Sequence, residues 1–114
     1  MSRTVAVLGG SGFVGRALVA RLLAQGERVR VLSRSADVRA RVPTGAELLT
    51  GDVFDAEFLR KAFDGADAVI NLVGILNERG DDGSGFHKVY VELAQTVIAA
   101  MQASGVRRLL QMSA

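Results

Sequence analysis

The residues Gly9-Gly10-Ser11-Gly12-Phe13-Val14-Gly15 carry the strongest chemical signal in the sequence. They satisfy G-x-G-x-x-G through Gly10, Gly12 and Gly15, and G-x-x-G-x-x-G through Gly9, Gly12 and Gly15. Each glycine in such a run has a purpose. One permits a tight turn, a second lets the backbone approach a pyrophosphate, and the third lets the following helix pack on the preceding strand. Free N–H groups at the start of that helix then face the phosphates. A glycine turn without a ligand has the same composition, and context separates the two. Here the run follows an apolar strand and opens a helix, which points to a dinucleotide site. A P-loop would need Gly-Lys-Ser/Thr, whereas Gly15 is followed by Arg16 and Ala17.

The end of the second strand reads the type of dinucleotide. An acidic residue there would hold the ribose 2′-hydroxyl of NAD, while an arginine accommodates the 2′-phosphate of NADP. The sequence has Leu32-Ser33-Arg34-Ser35, with no carboxylate. Arg34, helped by Ser33, would therefore favour NADP(H) over NAD(H). The competing reading leaves Arg34 pointing into water.

The elements that must position these residues follow from periodicity. Thr4–Leu8 is a short apolar run, a buried strand. Phe13–Gln25 carries Val14, Ala17, Leu18 and Leu22 at helical spacing, and Gly26 stops it. Arg28–Leu32 alternates like a second strand, Ser35 caps a short helix ending before Pro43, and Glu47–Thr50 reads as a third strand. Asp55 caps a helix with Phe58, Leu59, Ala62 and Phe63 on one face, closed by Gly65. Ala68–Val73 is a fourth buried strand, and 77–85 is a Gly/Asp-rich loop read as an exposed connector. Phe86, Val89, Tyr90, Leu93, Ala94, Val97, Ile98 and Met101 then mark a long helical face, ended by Gly105 and followed by a fifth strand, Arg107–Met112. Phe58, Phe63 and Phe86 are core candidates.

Strands alternating with helices require crossover connections and a parallel sheet covered on both faces. The expected fold is α/β, a Rossmann-type doubly wound parallel sheet of strand order 3-2-1-4-5. The apolar strand running to Ala114 marks residues 1–114 as the N-terminal part of an NAD(P)-binding domain, a fragment of a longer protein. Such a piece would expose its fifth strand and favour self-association.

Composition excludes other chemistries. The sequence of 114 residues has no cysteine, which removes disulfides, thiolate metal sites and cysteine nucleophiles, and its single histidine, His87, cannot form a histidine metal cluster. No apolar run approaches the ~20 residues that span a bilayer. Met1-Ser2-Arg3-Thr4 leads directly into a strand and leaves no room for a signal peptide, so the protein is read as cytoplasmic. Residues 1–50 carry eight basic and three acidic side chains, a balance suited to an anionic ligand and equally to solvated helix faces. No basic patch is interleaved with aromatics, so nucleic acid is not an expected partner.

Gly9–Gly15, Gly51-Asp52-Val53, Asn71-Leu72-Val73-Gly74 and Gln111-Met112-Ser113-Ala114 together resemble the extended and atypical short-chain dehydrogenase/reductases, a group that includes NAD-dependent epimerases and dehydratases. The branch most resembled is that related to the 39-kDa subunit of NADH:ubiquinone oxidoreductase (complex I). The resemblance spans the chain, and implies that the family's later strands and substrate-binding C-terminal part are missing from it. It implies that Asp52 and Val53 lie against the adenine, with the Asp52 carboxylate accepting from its amino group; capping the loop before the next helix is the alternative role. It implies that Leu72, Val73 and Gly74 form the floor beneath the ribose and nicotinamide. Ser113 matches the serine that polarises a substrate carbonyl in catalytic members, or is an inert strand-end residue. Catalytic members also use Tyr-x-x-x-Lys, in which the lysine lowers the tyrosine pKa. The only tyrosine here is Tyr90, with Ala94 four residues on, and it falls on the packing face of its helix. Two functions follow from the resemblance: a cofactor-binding part of an oxidoreductase or epimerase, inactive alone, or a non-catalytic NADPH-holding module associated with a respiratory complex.

Overall fold

The computed structural model describes residues 3–9, 13–34, 36–73 and 91–111. The elements are β1 (Thr4–Leu8), α1 (Phe13–Ala24), β2 (Arg28–Ser33), a 3-10 helix (Ala36–Arg41), β3 (Glu47–Thr50), α2 (Ala56–Phe63), β4 (Ala68–Asn71), α3 (Leu93–Ser104) and β5 (Leu109–Gln111). The five strands form one sheet in the order β3-β2-β1-β4-β5, and every neighbouring pair is parallel. This is the doubly wound arrangement expected from the alternating pattern.

Strand alternation divides the core into two layers. Val5, Val7, Val29, Val31, Ile70 and Leu72 pack against Val19 of α1, with Leu18, Leu22 and Leu23 at the margin. On the opposite face Ala6, Leu8, Leu32 and Val69 pack against Leu59, Ala62 and Phe63 of α2 and Leu93, Val97, Ala100 and Met101 of α3. Phe63 is fully buried and Phe58 half-buried; Phe86 lies outside the described residues.

Helix ends follow the sequence closely. Asp55 Oδ1 accepts from Glu57 N at 3.0 Å, capping α2. Glu57 in the first turn and Arg60 and Lys61 in the last complement the helix dipole. Gly26, Gly65 and Gly105 take left-handed φ of 85°, 77° and 83° after α1, α2 and α3. Ser35, expected to cap the 3-10 segment, lies outside the described residues.

Three expectations need correction. In α1 the buried positions are Gly15 and Val19, whereas Val14 and Ala17 are exposed. Apolar residues run most of the way round this helix, so periodicity alone leaves its rotation undecided. Gly15, having no side chain, lets that side approach the sheet and sets the face as 15, 18, 19, 22 and 23. In α3 the buried stripe is Leu93, Val97, Ala100 and Met101, and Ile98 is exposed at its edge. Finally, β4 ends at Asn71 rather than Val73, because the Asn71 side chain takes the Val73 N–H at 3.0 Å. Met112, the expected last residue of the fifth strand, is outside the described residues.

Arg30 occupies a strand position that faces α2. Its guanidinium donates to Ala62 O at 2.8 Å and Asp64 O at 2.6 Å, carbonyls at the end of α2 that the helix itself cannot satisfy. Glu47, its cross-strand partner in β3, lies 3.8 Å away. Arg30→Met keeps the aliphatic stem and removes both hydrogen bonds. It should lower stability by about 1–3 kcal/mol, read as a lower urea midpoint with an unchanged slope.

Candidate functional site

The strand order reverses between β1 and β4: the chain moves one way from β1 to β2 and β3, and the other way from β4 to β5. In open α/β sheets, ligands bind outside the carboxyl ends of the strands at this switch point. The residues there are Gly9 after β1 and Leu72 and Val73 after β4.

Gly9 adopts φ +83°, where a side chain is disfavoured, and a Cβ on it would lie 3.2 Å from both Leu72 C and Val73 N. The backbone after β1 therefore rests directly on the Leu72–Val73 peptide. Leu72 N donates to Leu8 O at 2.9 Å, the last rung between the two strands. Asn71, 1% exposed, sits beside Leu8 in register and accepts from Val73 N through Oδ1. Six-residue glycine spacing identifies the turn but says nothing of this support. The signal for Asn71 was its place as one amide in the apolar run Ala-Val-Ile-Asn-Leu-Val, where a buried polar group must find a partner.

Around this seam the carboxyl edge gathers most of the expected residues. Phe13 opens α1 and is 80% exposed; Val14 beside it is exposed, and Gly15 is buried. The first turn of α1 contains no acidic residue, so nothing there repels an anion at its positive end. Ser33 ends β2 half-buried, and Arg34 follows it exposed. Gly51 N donates to Ser33 O at 2.9 Å, tying the β3 loop to this corner. Asp52 Oδ1 accepts from Phe54 N at 2.8 Å, and Asp52 O accepts from Asp55 N at 2.9 Å. Asp52 thus shapes the loop into α2, as the alternative role required. That contact uses Oδ1 of an exposed side chain, so it does not conflict with a ligand at Oδ2. Val53 and Leu72 are buried in the two core layers, and Val73 is half-buried. Gly10, Ser11, Gly12, Gly74 and Ser113 lie outside the described residues.

On α2, Arg60 donates to Glu57 and holds that exposed carboxyl below the usual carboxylate range. A groove of about 530 Å³ lined by Arg3, Val5, Leu22, Ile70 and Leu110 lies toward the opposite, amino-terminal ends of the strands. Topology and the glycine turn mark the switch point instead.

A family model described as NAD(P)H-binding matches residues 9–114, from the glycine turn onward. The chain belongs to this NAD(P)H-binding family. Its cofactor is thus NAD(H) or NADP(H), and it is the kind of dinucleotide-binding domain found in short-chain dehydrogenase/reductase-like oxidoreductases and epimerases. A ketoreductase of Stigmatella aurantiaca acting on 4-hydroxy-2-methyl-3-oxo-4-farnesyl-3,4-dihydroquinoline-1-oxide is 32% identical over 94% of this chain and 32% of its own length. A UDP-glucose 4-epimerase of Streptomyces lividans is 34% identical over 96% of this chain and 35% of its own. The crystal structure of the Bordetella bronchiseptica enzyme WbmG in complex with NAD superposes with a TM-score of 0.80 at 28% identity, covering 97% of this chain and 37% of WbmG. The chain spans about a third of the length of these curated relatives. Among the described residues, no helix is long and apolar enough to cross a membrane.

The residues fit an NAD(P)H-family cofactor. Gly9 provides a left-handed turn with no room for a side chain, and Gly15 is a buried position in the first turn of α1. Gly51 belongs to the same edge: a Cβ there would fall 2.5 Å from Phe58 Cδ1 and 2.6 Å from Cε1. The sequence motif flagged Asp52 and Val53 but gave no sign that the ring of Phe58 fills the space beside Gly51. Gly51→Ala should destabilise the protein by about 1–3 kcal/mol through overpacking. Adding Phe58→Leu should recover part of that loss, seen as a coupling energy in a double-mutant cycle of unfolding midpoints.

Proposed function

We propose that this chain is the N-terminal, cofactor-holding part of an NADP(H)-preferring oxidoreductase or epimerase of the short-chain dehydrogenase/reductase type. The observation that carries the reading is the glycine turn at the switch point, with Gly9 seated on the Leu72–Val73 backbone. In this proposal Gly9, Gly10, Ser11, Gly12, Phe13, Val14 and Gly15 form the pyrophosphate loop. Asp52 and Val53 border the adenine, and Leu72, Val73 and Gly74 border the ribose and nicotinamide. The bound nicotinamide would supply hydride transfer. The protein's part is to bind and orient the cofactor, with Ser113 as the residue beside a substrate carbonyl.

NADP(H) preference rests on the end of β2, where exposed Arg34 follows half-buried Ser33 and no acidic residue stands to hold a 2′-hydroxyl. A guanidinium pairs with a phosphate as an ion pair and through two parallel hydrogen bonds, which a neutral ribose hydroxyl cannot match. A second reading is an NADPH-holding module without turnover, akin to the complex I 39-kDa branch and set in a respiratory complex or a homo-oligomer in the cytoplasm; it rests on the resemblance of Asn71-Leu72-Val73-Gly74 and Met112-Ser113-Ala114 to that branch.

Calorimetric titration with NADPH and NADH tests both cofactor claims. NADPH should bind more tightly, and Arg34→Ala should weaken NADPH by about tenfold, near 1.4 kcal/mol, while leaving NADH unchanged. Equal binding of NADPH by parent and variant would remove Arg34 from the site, and tighter NADH binding would reverse the assigned preference.

A further inference from the structure

We infer that Asn71 is a positioning residue for the cofactor: by holding the Val73 N–H it fixes the backbone bed on which the glycine turn rests. The inference builds on the cofactor reading above and adds a residue that no glycine motif contains. Asn71 is the only buried polar or charged side chain among the described residues. A buried amide in an apolar strand is unfavourable unless bonded, and its Oδ1 accepts from Val73 N at 3.0 Å.

The position of that bond gives it a consequence beyond satisfying a polar group. Alternate N–H groups of a strand point to opposite neighbours. Leu72 N points to β1 and bonds Leu8 O, and the next N–H, that of Val73, is taken by Asn71 Oδ1. By taking the Val73 N–H, the Asn71 side chain closes a turn directly after the rung from Leu72 N to Leu8 O. The peptide so held is the one Gly9 rests on. A Cβ at Gly9 would meet its carbon and nitrogen at 3.2 Å, so the glycine turn has little room to accommodate a shift of its bed. An apolar residue at 71 would leave Val73 N without the Oδ1 acceptor, and the peptide under Gly9 would lose that restraint on its orientation.

The test uses two side chains of nearly equal volume, Asn71→Thr and Asn71→Val, which differ in whether an oxygen can accept from the N–H two residues on. At a temperature where circular dichroism shows both folded, Asn71→Val should weaken NADPH or NADH binding by about tenfold or more, and Asn71→Thr by markedly less. Amide exchange at Gly9 and Val73 should accelerate in the Val variant and be restored in the Thr variant. Asn71→Ala and Asn71→Ser give the same comparison if the larger pair does not fold. Val97→Ala, in the α3 core, lowers the unfolding midpoint without touching the bed and should leave cofactor affinity unchanged. Equal affinity in the Val and Thr variants, or an equal loss in Val97→Ala, overturns the inference. If the parent binds neither nucleotide, the cofactor reading fails; unchanged exchange at Gly9 and Val73 would separately refute the positional role of Asn71.

Discussion

The close approach of two backbones at the seam between β1 and β4 governs much of this molecule. Gly9 can lie on the Leu72–Val73 peptide because it lacks a Cβ and tolerates φ +83°. That contact sits where the chain's two winding directions part, so the glycine loop emerges from the middle of the sheet rather than from an edge. Gly15, in the first turn of α1, is buried like Val19 one turn on.

The rest of the carboxyl edge is tied to that seam through the sheet. Ser33, Thr50 and Gly51 are linked by the β2–β3 register and by the bond from Gly51 N to Ser33 O. The loop bearing Asp52 is therefore held against the end of β2, next to Arg34. Residues distant in sequence are collected because parallel strands all end on one side. A domain of this kind places its loops by strand order first and by local turn chemistry second.

Much of this was legible in the residues. The alternation of strands and helices, the strand order, the Asp55 cap and the glycine stops all matched, since each rests on a short-range signal that tertiary packing reinforces. The phase of α1 was not legible. Its apolar residues surround the helix, so only the demand for close packing at Gly15 decides which of them face inward. The end of β4 was also hidden, because Val73 is as apolar as its neighbours and the strand stops through a side-chain bond from Asn71. Likewise, the sequence around Asp52 indicated a loop, yet nothing local revealed that Phe58 packs where a Gly51 side chain would go. The expected contacts at Gly10, Ser11, Gly12, Gly74 and Ser113 fall outside the described residues.

The fixation of α2 at both ends carries a consequence for how this fold can vary. Asp55 holds the first turn, and Arg30, from a strand more than one connection earlier, holds the carbonyls of Ala62 and Asp64. Adding or deleting one residue within the helix would rotate all that follows by about 100°. Leu59 and Phe63 would then leave the core together with the carbonyls Arg30 binds. The length of this segment is consequently locked, whereas among the described residues the connection between the 3-10 helix and β3 has no comparable pair of clamps. Insertions that diversify such a domain should accumulate in the latter kind of segment, leaving the spacing from the adenine loop to the end of α2 as a conserved ruler.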